Sequence, residues 1–258
     1  MIHPPLPRFH GAWGLLGAAL VPGLVLAPDD WSGVLPLAGA IVLGFAAFGS
    51  LERGAVSPRA RRHLPAWVAA YLLASLILLW FARARVLGQP ALLWPVLVGA
   101  ILAALRLAPP LPILRRPAAR EALGMGLLGL ALPVLAIAGG APARPAAALY
   151  LLYTGFFAIR LAFVRAHLAG RAAHSVSFAA PLAAGAAAAL AWVGAILSLG
   201  LDPWLVAAMC PVLAVGLLRL ARDRRAERAI RTLGLEELAS VAAFALIVSL
   251  LGGRTLIG

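Results

Sequence analysis

Apolar residues fill most of this chain in runs long enough to cross a bilayer, separated by short polar gaps. The runs are 11–27, 34–51, 65–81, 90–107, 121–138, 145–164, 177–199, 203–219 and 235–252. A helix climbs about 1.5 Å per residue, so roughly 20 such residues match a hydrocarbon core of about 30 Å. Backbone amides in lipid have no water to bond, and a helix satisfies them internally. The pattern therefore predicts an all-α, polytopic transmembrane helix bundle of about nine helices, forming a single domain over residues 1–258. It is weakest at the fourth run, interrupted by Pro95 and heading towards Pro109-Pro110, and at the short eighth, which carries Pro211. Losing either would reverse the side of everything after it. The first run follows Arg8 as the core of a signal peptide would, but Pro28 follows it with no small-x-small cleavage site evident. With more spans behind it, it reads as the first helix.

The gaps give the bundle an orientation. The chain has 22 arginines and no lysine, and 18 of the arginines fall on alternate gaps. These are Arg8; Arg53, Arg59, Arg61 and Arg62; Arg106, Arg115, Arg116 and Arg120; Arg160, Arg165 and Arg171; and Arg219, Arg222, Arg224, Arg225, Arg228 and Arg231. The opposite gaps hold Arg83, Arg85, Arg144 and Arg254. Cytoplasmic loops retain positive charge, so the N-terminus reads as cytoplasmic, the C-terminus as outside, and the location as the cell's inner membrane. Tryptophans mark membrane interfaces, where the ring is buried and the N–H stays wet. Trp31, Trp80, Trp94 and Trp204 fall at the outer ends of runs, and Trp13 and Trp67 near the inner ones. Trp192 lies about seven residues, or about 10 Å, inside its run and reads as a packing residue.

Composition then removes alternatives. With 63% apolar residues and a mean hydropathy of +0.98, the chain has too little polar surface for a water-soluble globule, and membrane lipids are its expected partners. A net charge of +13 would suggest nucleic acid in a soluble protein, but here the arginines sit in short gaps facing anionic headgroups, so no nucleic acid is expected. Cys210 is the single cysteine, forms no intrachain disulfide and reads as a small apolar residue. The Ala/Gly-rich stretch 179–189 either places the seventh helix centrally, where small residues let backbones approach, or reflects a GC-rich codon bias.

Few ionisable groups lie within the runs. Asp29, Asp30 and Asp202 fall in outer turns and Glu52 and Glu121 at inner ends, which disfavours a proton relay or cation pump. His63, His167 and His174 are scattered over inner loops without ligand spacing, so neither a metal nor another cofactor is expected.

The most specific local pattern is Pro7-Arg8-Phe9-His10-Gly11-Ala12-Trp13, opening the first helix. It resembles the opening signature of YwiC-like membrane proteins. Two further stretches are similar to that family in order and spacing. Residues 157–167 form an aromatic-rich helix end with basic residues, and residues 230–237 form a short basic linker with Gly234 before Glu236-Glu237. The resemblance implies a multi-pass membrane protein and no particular reaction.

Within these stretches His10, Trp13, Tyr153, Phe157, Arg160, Arg165 and Glu237 are the candidate ligand-binding residues. Tyr150, Tyr153, Phe157 and Arg160 follow i, i+3, i+7, i+10 and share one helix face. Such a face suits an anionic amphiphile, lipid or quinone-like, with rings on its tail and Arg160 on its acidic head. The same stripe also suits helix packing, with Arg160 reaching to the interface. His10 is equally a wet residue before a helix, and Trp13 an anchor. Glu237 suits pairing with an inner arginine, or the N-terminal helix dipole alone.

Nine helices and a basic inner face also resemble UbiA-type prenyltransferases, which implies aspartate-rich motifs holding Mg²⁺ after the second and sixth helices. Here residues 49–56 contain one carboxylate, Glu52, and residues 160–177 contain none. A diverged transferase is thus a weaker alternative to an amphiphile-binding protein. So is a secondary transporter, since Pro95 and Pro211 interrupt runs but no internal repeat is visible.

Overall fold

The structure, a computed structural model, describes residues 10–27, 31–56, 64–107, 117–172, 192–194, 196–222 and 230–257. Among these residues every regular element is a helix. They are α1 (His10–Val25), α2 (Trp31–Val56), α3 (Leu64–Leu87), a 3-10 turn (Pro90–Leu92) running into α4 (Leu93–Leu107), α5 (Pro117–Gly129), α6 (Ala131–Ala138), α7 (Ala143–Ala172), α8 (Pro203–Arg222) and α9 (Ile230–Ile257). Of the expected seventh span only residues 192–194 and 196–199 are described; its Ala/Gly-rich stretch lies outside them. Among the described residues five segments are long and apolar enough to cross a membrane: Trp31–Leu51, Leu64–Leu87, Pro90–Leu107, Ala119–Ala138 and Leu235–Gly253. Ala12–Val25 and Pro203–Val215 are shorter apolar helices. The fourth run therefore forms a full-length helical segment in spite of Pro95.

The helices overrun the polar gaps. Arg83 and Arg85 lie on α3, Arg165, His167 and Arg171 on the 30-residue α7, and Arg222 on α8, beyond the ends of the apolar runs. Each residue added to an existing helix gains a backbone hydrogen bond, and alanine and arginine are strong helix formers. Arginine's long stem still carries its charge towards water from a helix end.

The fifth run is bent. Pro133 has no N–H for the carbonyl of Gly129, and its ring crowds that carbonyl, so the helix breaks there. Leu130 N–H instead bonds the carbonyl of Leu127 at 3.3 Å, and Val134 N–H resumes the ladder on Leu130 at 3.1 Å. The short α6 after the bend is buried along almost its whole length. Gly140, at φ 99°, takes the left-handed conformation that ends it.

Side-chain contacts fix how the helices run. The hydroxyl of Ser75 on α3 donates to the carbonyl of Ala40 on α2 at 3.0 Å, while Arg85 lies against Gly33 and Leu78 against Gly39, an antiparallel pair. Arg106 on α4 meets Gly124 on α5 and Gly99 meets Leu130, again antiparallel. In contrast, Val241 of α9 approaches Gly14 of α1, and Leu26, just past the end of α1, approaches Gly252 of α9, so α1 and α9 run parallel. The parallel run of α1 and α9 is the arrangement that alternation over the nine expected spans predicts. The bundle thus has two ends. One collects the starts of α1, α5 and α9 with the later parts of α2, α4 and α7, and the other collects their opposite termini.

Candidate functional site

Helix α7 crosses the interior of the bundle. Tyr153 and Phe156 are fully buried on it and Phe157 and Arg160 nearly so. The face is apolar at every turn until Arg160, and therefore buries against α1 and α9 rather than facing lipid. From α9 comes Phe244, also fully buried. Its ring centroid lies 5.7 Å from Tyr153, 5.0 Å from Phe156 and 5.1 Å from Phe157, within the range of favourable aromatic pairs. The Tyr153 and Phe157 rings meet at a tilt of 54°, with centroids 4.7 Å apart. The Tyr153 hydroxyl, which would otherwise be an unmet donor in an apolar core, donates to the carbonyl of Leu15 on α1 at 2.8 Å. Its flank is set by Gly129, where a Cβ would collide with the Tyr153 ring.

One turn beyond this cluster Arg160 meets Glu237. Nη2 donates to one carboxylate oxygen at 2.6 Å and Nε to the other at 3.4 Å, a two-point grip across α7 and α9. The Arg160 side chain is 8% exposed and that of Glu237 29%. Glu237 is the third residue of the apolar segment Leu235–Gly253, so the pair sits at the edge of the span with Glu237 on its wetter side. Among the described residues no acceptor is paired with Nη1 of Arg160. Behind it, Ser240 satisfies its hydroxyl on the carbonyl of Glu236 at 2.9 Å, leaving the α9 face smooth between Glu237 and Phe244.

Four of the residues expected from the sequence, Tyr153, Phe157, Arg160 and Glu237, therefore belong to one contiguous cluster. Trp13 lies beside it on α1, half-buried and packed edge-on against Phe45 of α2 at 5.0 Å. Tyr150 does not share the cluster's hydrogen bonds: it turns towards α5, donating to the carbonyl of Gly126 at 3.2 Å. His10 opens α1 and Arg165 lies on α7, but their side chains fall outside the described ones. Of the histidines in the inner gaps, His63 and His174 lie outside the described residues. Among the described residues no group of three or more His, Cys, Asp or Glu is placed to hold a metal ion.

Sequence reading missed Phe156, Phe244 and the Leu15 carbonyl. Phe244 was within reach of it, since Glu237, Ser240, Phe244 and Val248 follow i, i+3, i+7, i+11 and all turn one face inwards. Trp192 is placed as its depth in the run suggests. Its indole N–H donates to the carbonyl of Leu151 at 2.6 Å, and its ring occupies the space that a side chain at 155 would fill, which Gly155 leaves open.

Against known families, the model of YwiC-like proteins matches residues 6–136, just over half of the chain. The chain belongs to the YwiC-like family. The match takes in the Pro7 to Trp13 opening and every helix from α1 to α5, with most of α6. Arg160 and Glu237, and with them the two later stretches similar to the family, lie beyond it. Neither the curated proteins nor the solved structures yielded a match to this YwiC-like chain.

Proposed function

We propose that this YwiC-like protein is a multi-pass protein of the cell's inner membrane that binds an anionic amphiphile, a lipid or quinone-like molecule, from its cytoplasmic face. One observation carries the reading: a guanidinium almost removed from solvent, held on its Nε/Nη2 side by Glu237 and with Nη1 unengaged among the described residues, at the edge of an apolar span. Burying a cation is costly, and ionisable groups inside membrane helices are retained mainly where they bind or conduct something. Arginine's planar fork suits a carboxylate or phosphate head, and apolar helices beside it suit the chain. In this reading Arg160 holds the head and Glu237 orients it, with His10, Trp13 and Arg165 at the mouth and Tyr153 and Phe157 closing the floor.

Native mass spectrometry of the protein released from detergent tests the reading. Retention of an acidic lipid or quinone-like species is expected, and its loss with Arg160→Ala. No retained species, together with unchanged lipid-dependent thermal stability in Arg160→Ala, would refute the reading. The orientation has its own test. An alkaline-phosphatase fusion after Gly258 should be active and one within residues 219–234 inactive; the reverse places the arginine-bearing end outside.

A further inference from the structure

The Arg160–Glu237 pair is neutral as it stands, and this has a consequence for any anion that joins it. Both carboxylate oxygens of Glu237 already take Arg160 donors. An anion placed on Nη1 would turn a neutral pair into a cluster of net charge −1 at a guanidinium that is 8% exposed. Excess charge in such surroundings is costly, and buried groups shed it by changing protonation state. Among the described side chains, the charged and titratable groups around Glu237 offer little compensation. Glu236, its neighbour on α9, is a second acid. Helix α7 contributes Arg160, whose charge is already matched. The described side chains of α1, residues 12–25, include no titratable group, and those of α8, residues 203–215, include only Cys210, which is exposed. His10 opens α1, Arg165 follows Arg160 on α7 and Arg231 lies in the first turn of α9, all with side chains outside the described ones.

We infer that an anionic head binds at Arg160 together with one proton, taken up by Glu237. This inference rests on the amphiphile reading above and specifies how that site is regulated. The protonated carboxyl keeps its carbonyl oxygen as an acceptor for Arg160 and gains an O–H that donates to the incoming anion. Glu237 then changes from the arginine's counter-ion to a second hydrogen-bond donor for the ligand, and the cluster of Arg160, Glu237 and ligand stays neutral. The pair thereby makes anion occupancy sensitive to pH on the side where Glu237 meets water, with binding favoured as pH falls.

Dihexanoyl phosphatidylglycerol is a suitable probe, because its phosphodiester keeps its charge across the range tested, and dihexanoyl phosphatidylcholine is the control. Isothermal titration of the purified full-length protein at pH 5.5 to 8, in two buffers of different ionisation heat, reads both affinity and protons taken up. Affinity should weaken with rising pH by up to about tenfold per unit, the limit for one linked proton, with uptake approaching one proton per lipid where Glu237 is ionised. Glu237→Gln, a neutral isostere that retains the arginine's acceptor, should bind at pH 8 about as tightly as wild type does at pH 5.5 and show no uptake. Lipid binding by wild type without uptake, or a pH dependence that persists unchanged in Glu237→Gln, would overturn the inference while leaving the amphiphile reading intact. Absence of lipid binding by both proteins at every pH would instead remove that reading. Should Glu237→Gln not fold, the buffer comparison on wild type decides alone: zero uptake overturns the inference.

Discussion

Helices α3 and α7 are both apolar and both long, yet they are held in place by different means. On α3, Leu73 is 62% exposed, Leu76 62%, Trp80 63% and Phe81 65%, and much of the helix presents bare hydrocarbon. On α7, Leu149, Leu152, Tyr153 and Phe156 have no exposed surface at all. Lipid supplies the surroundings of α3, so a side chain there exchanges one apolar neighbour for another when altered. Helix α7 depends on particular partners: a carbonyl on α1, rings and a carboxylate on α9, and an indole fitted over Gly155. The difference separates being in the membrane from being in the bundle. Hydrophobicity accounts for the first; close fit and polar contacts account for the second.

The comparison is broken most severely at Arg160. Arg160→Ala leaves the Glu237 carboxylate without its partner; removal of one member of a fully buried pair costs about 3–5 kcal/mol, and the 29% exposure of Glu237 puts the expected cost at the low end of that range, about 3 kcal/mol. A large drop in the melting temperature of the detergent-solubilised protein is expected. Arg160→Leu combined with Glu237→Leu should restore most of that loss, because two apolar residues leave no orphaned charge. Next comes Gly155→Leu, which drives a side chain into the Trp192 indole; overpacking of this kind costs about 1–3 kcal/mol, and tryptophan fluorescence should shift as the ring is displaced. Tyr153→Phe removes only the hydrogen bond to Leu15, for which interhelical bonds in membranes suggest about 0.6 kcal/mol and a small fall in melting temperature. Smallest is Leu76→Ala on α3, expected within about 0.5 kcal/mol of wild type by the same melt. If Leu76→Ala proved as damaging as Gly155→Leu, the exposed face of α3 would be buried against something other than lipid.

Much of this was legible from the sequence because hydropathy runs and arginine spacing are local. They located the helical segments, and the alternation they imply agrees with the antiparallel pairing of α2 with α3 and α4 with α5 and with the parallel run of α1 and α9. Helix ends were less legible, since arginine both marks a gap and favours a helix, and α7 continues through three arginines. The site was half legible. The stripe of Tyr153, Phe157 and Arg160 follows helical periodicity, and an acid at 237 invites an arginine. Which of the many arginines it takes, 77 residues away, depends on the crossing of α7 and α9. So does the choice of the Leu15 carbonyl by Tyr153, since a backbone oxygen carries no mark in a sequence.

That last bond has a consequence for how the molecule is made. It joins two residues 138 positions apart, and the helix it holds, α1, is only 16 residues long. At ~5–20 residues per second, synthesis spends on the order of ten seconds or more between the two. Throughout that interval α1 lacks this fastener, and so does the half of the chain that carries the family signature. A nascent chain stalled before Tyr153 would hold α1 through α2, α5 and α6, which already pack against it, but without this polar tie. The tie itself closes late, from the second half of the chain back onto the first.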